Sequence, residues 1–347
     1  LQALKTATAD ARVEQIRQQC NTAAQTPPAS QAPPVLLIPL PAISPETAPA
    51  IAAPATELPS NLIPQIVELL RKPQTQQSVI ERRMISEIRS SLEPFSLLPH
   101  RPNYLSPISQ HRRPAGSQTT ASAYEPLESH FQISFKFPLT PPLLGGQIVP
   151  FFGYTNRSWW QVYDGDRSRP FREYNHEPEL FALIPARGLN LLGWEHRMSM
   201  VGFNHQSNGR DVPRSRSWNR ITGEAYFDRS RYTWAALKLW YRIPEKNKVN
   251  PLDTQGDDNP DISRYMGNFE FRLGHAVPNS HNFTLMTRQS LQKNGKGALQ
   301  LDWSYPMPYS SGLRFHASVF TGYGDSLIDY NNKVTRFGLG IMLKDWF

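Results

Sequence analysis

From about residue 96 onward, apolar and polar side chains change places at every second position. That alternation limits the possible folds more than any other feature of the sequence. In 131–137, Phe131, Ile133, Phe135 and Phe137 fall on one side and Gln132, Ser134 and Lys136 on the other, because successive side chains of a strand emerge on opposite faces. The pattern returns in 232–243, where Ala235, Leu237, Leu239, Tyr241 and Ile243 oppose Trp234, Lys238, Trp240 and Arg242. It returns again in 268–273, where Phe269, Phe271 and Leu273 oppose Asn268, Glu270 and Arg272, and in a last strand with Phe337, Leu339, Ile341 and Leu343 against Arg336, Gly338, Gly340 and Lys344. A first strand is expected at His100–Ser109. Gly, Pro, Asn and Asp turns separate these segments at short intervals, as an all-β fold requires.

The polar faces decide between two all-β architectures. In a soluble sandwich their charges would be hard to place, since an unpaired buried charge is costly. In a membrane barrel lipid takes the place of the core and the charged face lines the lumen. The mean hydropathy is negative and no run of about 20 apolar residues is present, but a closed barrel needs none. Trp159-Trp160 and other aromatics near turns suit interfacial girdles, and the final Phe347 suits the terminal strand of an outer-membrane barrel. The expected fold is an antiparallel transmembrane β-barrel of about twelve strands over 96–347. Residues 1–95 are expected to form a Pro/Ala-rich extension of low order: a short helix over 1–22, a linker over about 25–60, and a helix over about 61–92 broken near Pro73.

Other features narrow the function. The single cysteine, Cys20, excludes an internal disulfide framework and any cysteine-based metal cluster. The opening residues carry no basic-then-apolar secretory pattern, which leaves a removed signal or a cytosolic protein. A net charge of +8 points to an anionic partner. The arginines are dispersed among aromatic strands and loops, with no helix-turn-helix or RRM signature, so a membrane surface is preferred to nucleic acid.

One hairpin stands out, VGFNHQSNGRDVPRSRSWNR at 201–220. Val201, Phe203, His205 and Ser207 share a face, and on the returning strand Asn219 shares one with Ile221, Ala225 and Phe227. A serine needs a base to take its proton, and the base works best when a third group orients it. Ser207, His205 and Asn219 are therefore a candidate nucleophile, base and orienting amide. Gly209 is a candidate backbone donor to an oxyanion. Polar groups on an otherwise lipid-facing wall are costly and usually functional.

The segment FNHQSNGRDVPRSRSWNR resembles the signature of the outer-membrane phospholipase A family of Gram-negative bacteria. The likeness continues through YTNRSWWQ (154–161), RPFREYNHEPELF (169–181), DDNPDISRYMG (257–267), TGYGDSLIDYN (321–331) and the closing GLGIMLKDWF. It starts near His100. The resemblance implies a 12-stranded barrel that hydrolyses the sn-1 or sn-2 acyl ester of glycerophospholipids, requires Ca²⁺, and is active as a homodimer. By motif position Ser207, His205, Asn219 and Gly209 take the roles given above. The implied calcium oxygens are the carbonyl of Arg210, the hydroxyl of Ser215 and, from a second subunit, the carbonyl of Ser168, with Asp258 of DDNP as a further donor. In GRDVPRS, Val212 stands where the family has an acid and Asp211 lies one place earlier, which bears on a secondary calcium site. Asn156 stands where a longer Gln is usual at the dimer contact. The alternative from another class is a non-catalytic barrel acting as a pore or surface scaffold, and the third is a soluble carbohydrate-binding sandwich.

Overall fold

The computed structural model describes residues 58–93, 95–112, 124–186, 188–250 and 252–343. The expected helix over 1–22, Cys20, the linker up to 57 and the closing residues from Lys344 to Phe347 lie outside the described residues.

The alternating segments pair into one antiparallel sheet. Its long strands are β1 (Tyr104–Arg112), β2 (Leu127–Pro138), β3 (Val149–Trp160), β4 (Phe171–Pro185), β5 (Trp194–Ser207) and β6 (Ser217–Asp228), then β7 (Thr233–Ile243), β8 (Phe269–Ala276), β9 (Asn282–Gln289), β10 (Gly297–Pro306), β11 (Leu313–Tyr323) and β12 (Lys333–Leu343). Each pairs with the next, and β12 returns to β1 with Thr335 opposite Arg112 and Met342 opposite Tyr104. The sheet is therefore a closed barrel of twelve long strands without an edge, the condition for strands to cross a bilayer. Two-residue strands at Leu98–Pro99 and Asn190–Leu191 extend it locally.

Parity places the side chains as the sequence predicts. Ile133, Val201, Phe203, Ile221, Leu239, Leu285, Leu301, Val319 and Phe337 are exposed on the outer wall. Inside, charges satisfy one another: Glu177 accepts from Arg101 at 3.1 Å, from Arg220 at 2.9 Å and from Asn204 at 2.8 Å. Glu179 accepts from Arg101 at 2.6 Å, pairs with His100 at 2.8 Å and lies 3.5 Å from Lys238. Elsewhere in the lumen Arg172 bridges Glu128 and Asp329, and Arg336 meets Asp325.

Two local readings differ. The strand expected from His100 begins at Tyr104, because Pro102 lacks an N–H for the ladder and His100 and Arg101 turn inward to Glu177 and Glu179. Only one member of the Trp159-Trp160 pair lies outside. Trp159 is fully buried and stacks on His130 with centroids 4.8 Å apart, while Trp160 bonds the Arg169 carbonyl and stacks on Phe171. Neighbours on a strand cannot share a face.

The described residues from Leu58 onward form one compact unit, so part of the stretch expected as an N-terminal extension packs with the barrel. Helices α1 (Pro64–Arg71) and α2 (Val79–Ser90) flank Pro73. Ile66, Leu69, Leu70, Ile80, Met84 and Ile88 join Val149, Phe151, Leu183, Met198 and Tyr226 in one apolar cluster at an end of the barrel. Glu87 of α2 binds Lys136 of β2, Ser78 binds Asp228 at the end of β6, and Val79 donates to the Arg231 carbonyl. The opposite end is closed by a second cluster of Trp218, Trp240, Ile262, Met266, Leu327 and Tyr330, reached through the short helix α3 (Ile262–Met266).

Candidate active site

The hairpin of β5 and β6 has two unlike faces. Its inner face is locked: Asn204 and Gln206 are buried, Trp218 donates its indole N–H to Gln206 at 2.8 Å, and the Arg220 guanidinium lies 4.0 Å from the Trp218 ring centroid. Its outer face runs from exposed Val201 and Phe203 to half-buried His205 and Ser207. The register sets His205 directly opposite Asn219 and Ser207 opposite Ser217, and His205 Nδ1 lies 2.8 Å from Asn219 Oδ1. Ser207 is two places further along the same face, about 7 Å of strand rise from His205. The structure joins His205 and Asn219 by a hydrogen bond, whereas Ser207 joins them by placement alone. Such contacts often tighten only when substrate binds. On the other side Ser207 faces His176 of β4.

The connecting loop is built around Asn208, which is fully buried. Its amide donates to the Arg214 carbonyl at 2.9 Å and its oxygen accepts from Arg216 N–H at 2.9 Å, which closes the loop on itself. Gly209 follows with φ +57°, a left-handed conformation that a side chain would strain. A Cβ there would meet Tyr174 at 3.7 Å and His176 at 3.9 Å, so the Gly209 backbone lies near His176, the cross-strand neighbour of Ser207. Arg210 is pinned to Glu173 at 3.0 Å and to the Arg172 carbonyl at 2.7 Å. Glu173 also accepts from the Ile328 N–H at 3.2 Å. The segment 321–331 thus supports the site loop from the far side of the barrel.

Oxygen donors of the expected cation site come together in part. The Ser215 hydroxyl donates to Asp258, whose other carboxylate oxygen binds Lys248. Hard oxygens on adjoining loops suit calcium, and Ser215 beside Asp258 fits that chemistry, but the Lys248 ammonium holds the same carboxylate. Arg210 sits in the same loop as Ser215, and Ser168 lies exposed between β3 and β4 with φ +57°. The neighbouring residues of DDNP are structural. Asp257 clamps Arg242 through two contacts of 2.7 and 2.6 Å, and buried Asn259 accepts from Ser217 N–H at 3.1 Å. Among the described residues no group of three or more His, Cys, Asp or Glu assembles as metal ligands.

Asn156 bonds within the chain, its amide 3.3 Å from His176 Nδ1 and its oxygen accepting from Ser158 at 2.7 Å. Tyr154 lies 2.6 Å from the same His176 nitrogen. Three residues escaped sequence reasoning. Asn208 reads as an ordinary turn residue in SNG, and Glu173 carries no signal because the partners that tie it to the site loop and to 321–331, Arg210 and Ile328, are distant in sequence. Glu245, which accepts from Asn219 Nδ2 at 3.2 Å, could have been found by parity: it continues the outward row of Leu239, Tyr241 and Ile243. Outside the barrel wall, burial and the adjacent Asp261 push the Tyr330 hydroxyl up, so it remains a donor to Asp261 at 2.5 Å and ties the loop of α3 to the segment 321–331.

Comparison with known proteins places this geometry in context. A family profile described as Phospholipase A1 matches residues 80–343. The chain is 36% identical over 258 residues to phospholipase A1 of Escherichia coli (strain K12), an alignment covering 73% of this chain and 83% of that protein. It is 33% identical over 295 residues to phospholipase A1 of Klebsiella pneumoniae, covering 84% and 96%. Among solved structures it is similar to outer membrane phospholipase A from Escherichia coli, with a TM-score of 0.65 and 35% identity over 76% of this chain and 98% of that one. A Salmonella typhi outer membrane phospholipase dimer with bound calcium matches with a TM-score of 0.65 and 35% identity, over 75% of this chain and 98% of that chain.

Proposed function

The chain belongs to the phospholipase A1 family, and from that membership we propose that it cleaves the sn-1 and sn-2 acyl esters of glycerophospholipids with Ser207 as nucleophile, His205 as base and Asn219 as orienting amide. The observation that carries this reading is the 2.8 Å contact between His205 Nδ1 and Asn219 Oδ1 on the outward, half-buried face that also holds Ser207. The protein is an outer-membrane β-barrel enzyme, so the site meets lipid on the outside of its wall and needs no pocket within the lumen.

The steps follow from the placement. Ser207 Oγ attacks the ester carbonyl carbon as its proton passes to His205 Nε2, and Asn219 holds the ring through Nδ1. The carbonyl oxygen takes up the charge and is met by the Gly209 backbone N–H. Collapse breaks the bond between the carbonyl carbon and the lysolipid oxygen, which takes the proton from Nε2. Water then releases the fatty acid from Ser207 by the same route. Calcium, held by the Arg210 carbonyl, the Ser215 hydroxyl, Asp258 and the Ser168 carbonyl of a second copy, would add positive charge beside this oxygen. That arrangement makes the homodimer the active state. A pore is disfavoured by the paired charges in the lumen and the apolar clusters at both ends.

Hydrolysis of phospholipid in mixed micelles tests the reading. Ser207→Ala is expected to lower kcat at least about a thousandfold, chelation of calcium to abolish turnover, and crosslinked dimers to increase with calcium. Full activity in Ser207→Ala, or activity indifferent to chelator, would overturn it.

A further inference from the structure

Resting on that Ser–His–Asn reading, we infer that Glu245 is a positioning residue that selects the ring tautomer of His205 through the amide of Asn219. Register puts it there. Ile243, at the end of β7, lies opposite Asn219, and Glu245 is two places further, on the same outward side as Leu239 and Tyr241. That row is apolar until it reaches the edge of the site, where a half-buried carboxylate takes the next position. Its Oε1 lies 3.2 Å from Asn219 Nδ2.

The chemistry then runs in one direction. An ionised carboxylate only accepts hydrogen bonds, whereas a carboxamide has a donating end and an accepting end that can exchange places by a flip. With Glu245 on one side, Asn219 must turn its NH₂ towards the carboxylate and its Oδ1 towards His205. An oxygen 2.8 Å from Nδ1 requires a proton on Nδ1, which leaves Nε2 as the lone pair that can take the serine proton. Without Glu245 the flipped amide would present its NH₂ to Nδ1, favour the other tautomer and place the ring proton where the base must be empty. The carboxylate also supplies, one bond removed, the negative charge that a neutral amide lacks for stabilising the imidazolium formed during attack. Asn219 connects the two groups, so neither effect can reach His205 once that side chain is gone.

The test uses the full chain in detergent with calcium, and compares Glu245→Ala and Glu245→Gln in the native and Asn219→Ala backgrounds. In the native background kcat is expected to fall about tenfold with KM unchanged. In Asn219→Ala neither substitution should lower it further. Nitrogen-15 spectra of histidine-labelled protein, with the His205 signal identified by its loss in His205→Ala, should show Nδ1–H in the native protein and a mixture of tautomers in Glu245→Ala. The inference is overturned by equal losses of kcat in both backgrounds, or by an unchanged Nδ1–H signal in both Glu245 variants. Because the tautomer is read without turnover, full activity of Ser207→Ala alongside the expected spectra would remove the serine mechanism and leave the role of Glu245 standing.

Discussion

The ammonium of Lys248 lies on the carboxylate of Asp258, one of the oxygens proposed for calcium. Two cations cannot share one carboxylate without repulsion, and at contact distance that repulsion is worth on the order of 1–4 kcal/mol in partly screened surroundings. Lys248→Met is therefore expected to lower the free calcium needed for half-maximal hydrolysis several-fold, measured by titration with buffered calcium in mixed micelles; an unchanged or higher requirement would show that Lys248 does not compete. The same scale shows where sequence reading stops. The common outward placement of His205, Ser207 and Asn219 was legible because two-residue and cross-strand spacings are local rules. That of Lys248 was not, because it lies in a loop whose side chains are aimed by contacts that no period describes, whereas Glu245 lies just past the end of β7, where the outward parity of Leu239, Tyr241 and Ile243 still reaches it.

Among the elements, the strands were legible wherever parity was uninterrupted, as at Phe131–Phe137, and misread where proline or face choice intervened, as at Pro102 and Trp159. Helix α2 could be expected from its apolar spacing, but its docking could not, since Lys136, Asp228 and Arg231 are far away in sequence. Its start is fixed by a reciprocal cap: Ser78 Oγ accepts from Glu81 N–H at 3.2 Å and Glu81 accepts from Ser78 N–H at 2.9 Å, an arrangement that satisfies two otherwise orphaned donors. Burial alone would raise the Glu81 carboxyl. The Lys72 ammonium, the Ser78 N–H and Arg197 together hold it below its ordinary value. A carboxyl lowered on folding stabilises the folded state fully above the unfolded glutamate value of about 4.3, and this contribution fades as pH falls through the folded value. Glu81→Gln should thus melt below the native protein at neutral pH, with the difference shrinking under acid conditions; a gap in Tm that is constant with pH would refute the assignment.

For the molecule as a whole, the charges of the lumen stand in for a core. Glu177 alone engages Arg101, Arg220 and Asn204, so Glu177→Ala leaves the buried Arg220 guanidinium without its carboxylate and takes one of two carboxylates from half-buried Arg101. The expected loss is about 3–5 kcal/mol, read as a lower denaturant midpoint for the detergent-solubilised barrel, and a midpoint unchanged within error would show that the network is not coupled to stability. The closed barrel itself was legible because alternation with charged inner faces has one economical solution in a membrane. The sealing of its ends was not, since the cluster of Ile66, Ile80 and Phe151 and that of Trp218, Ile262 and Leu327 join segments with no shared pattern. Closed by an apolar cluster at each end, the barrel turns its site outward, so a lipid would approach it along the outer wall. On the proposed mechanism the lipid has to rise along the outer wall until its ester is level with Ser207. Turnover should follow how freely the bilayer lets its molecules rise, so that chain melting and lateral tension in the membrane act as the throttle of the enzyme.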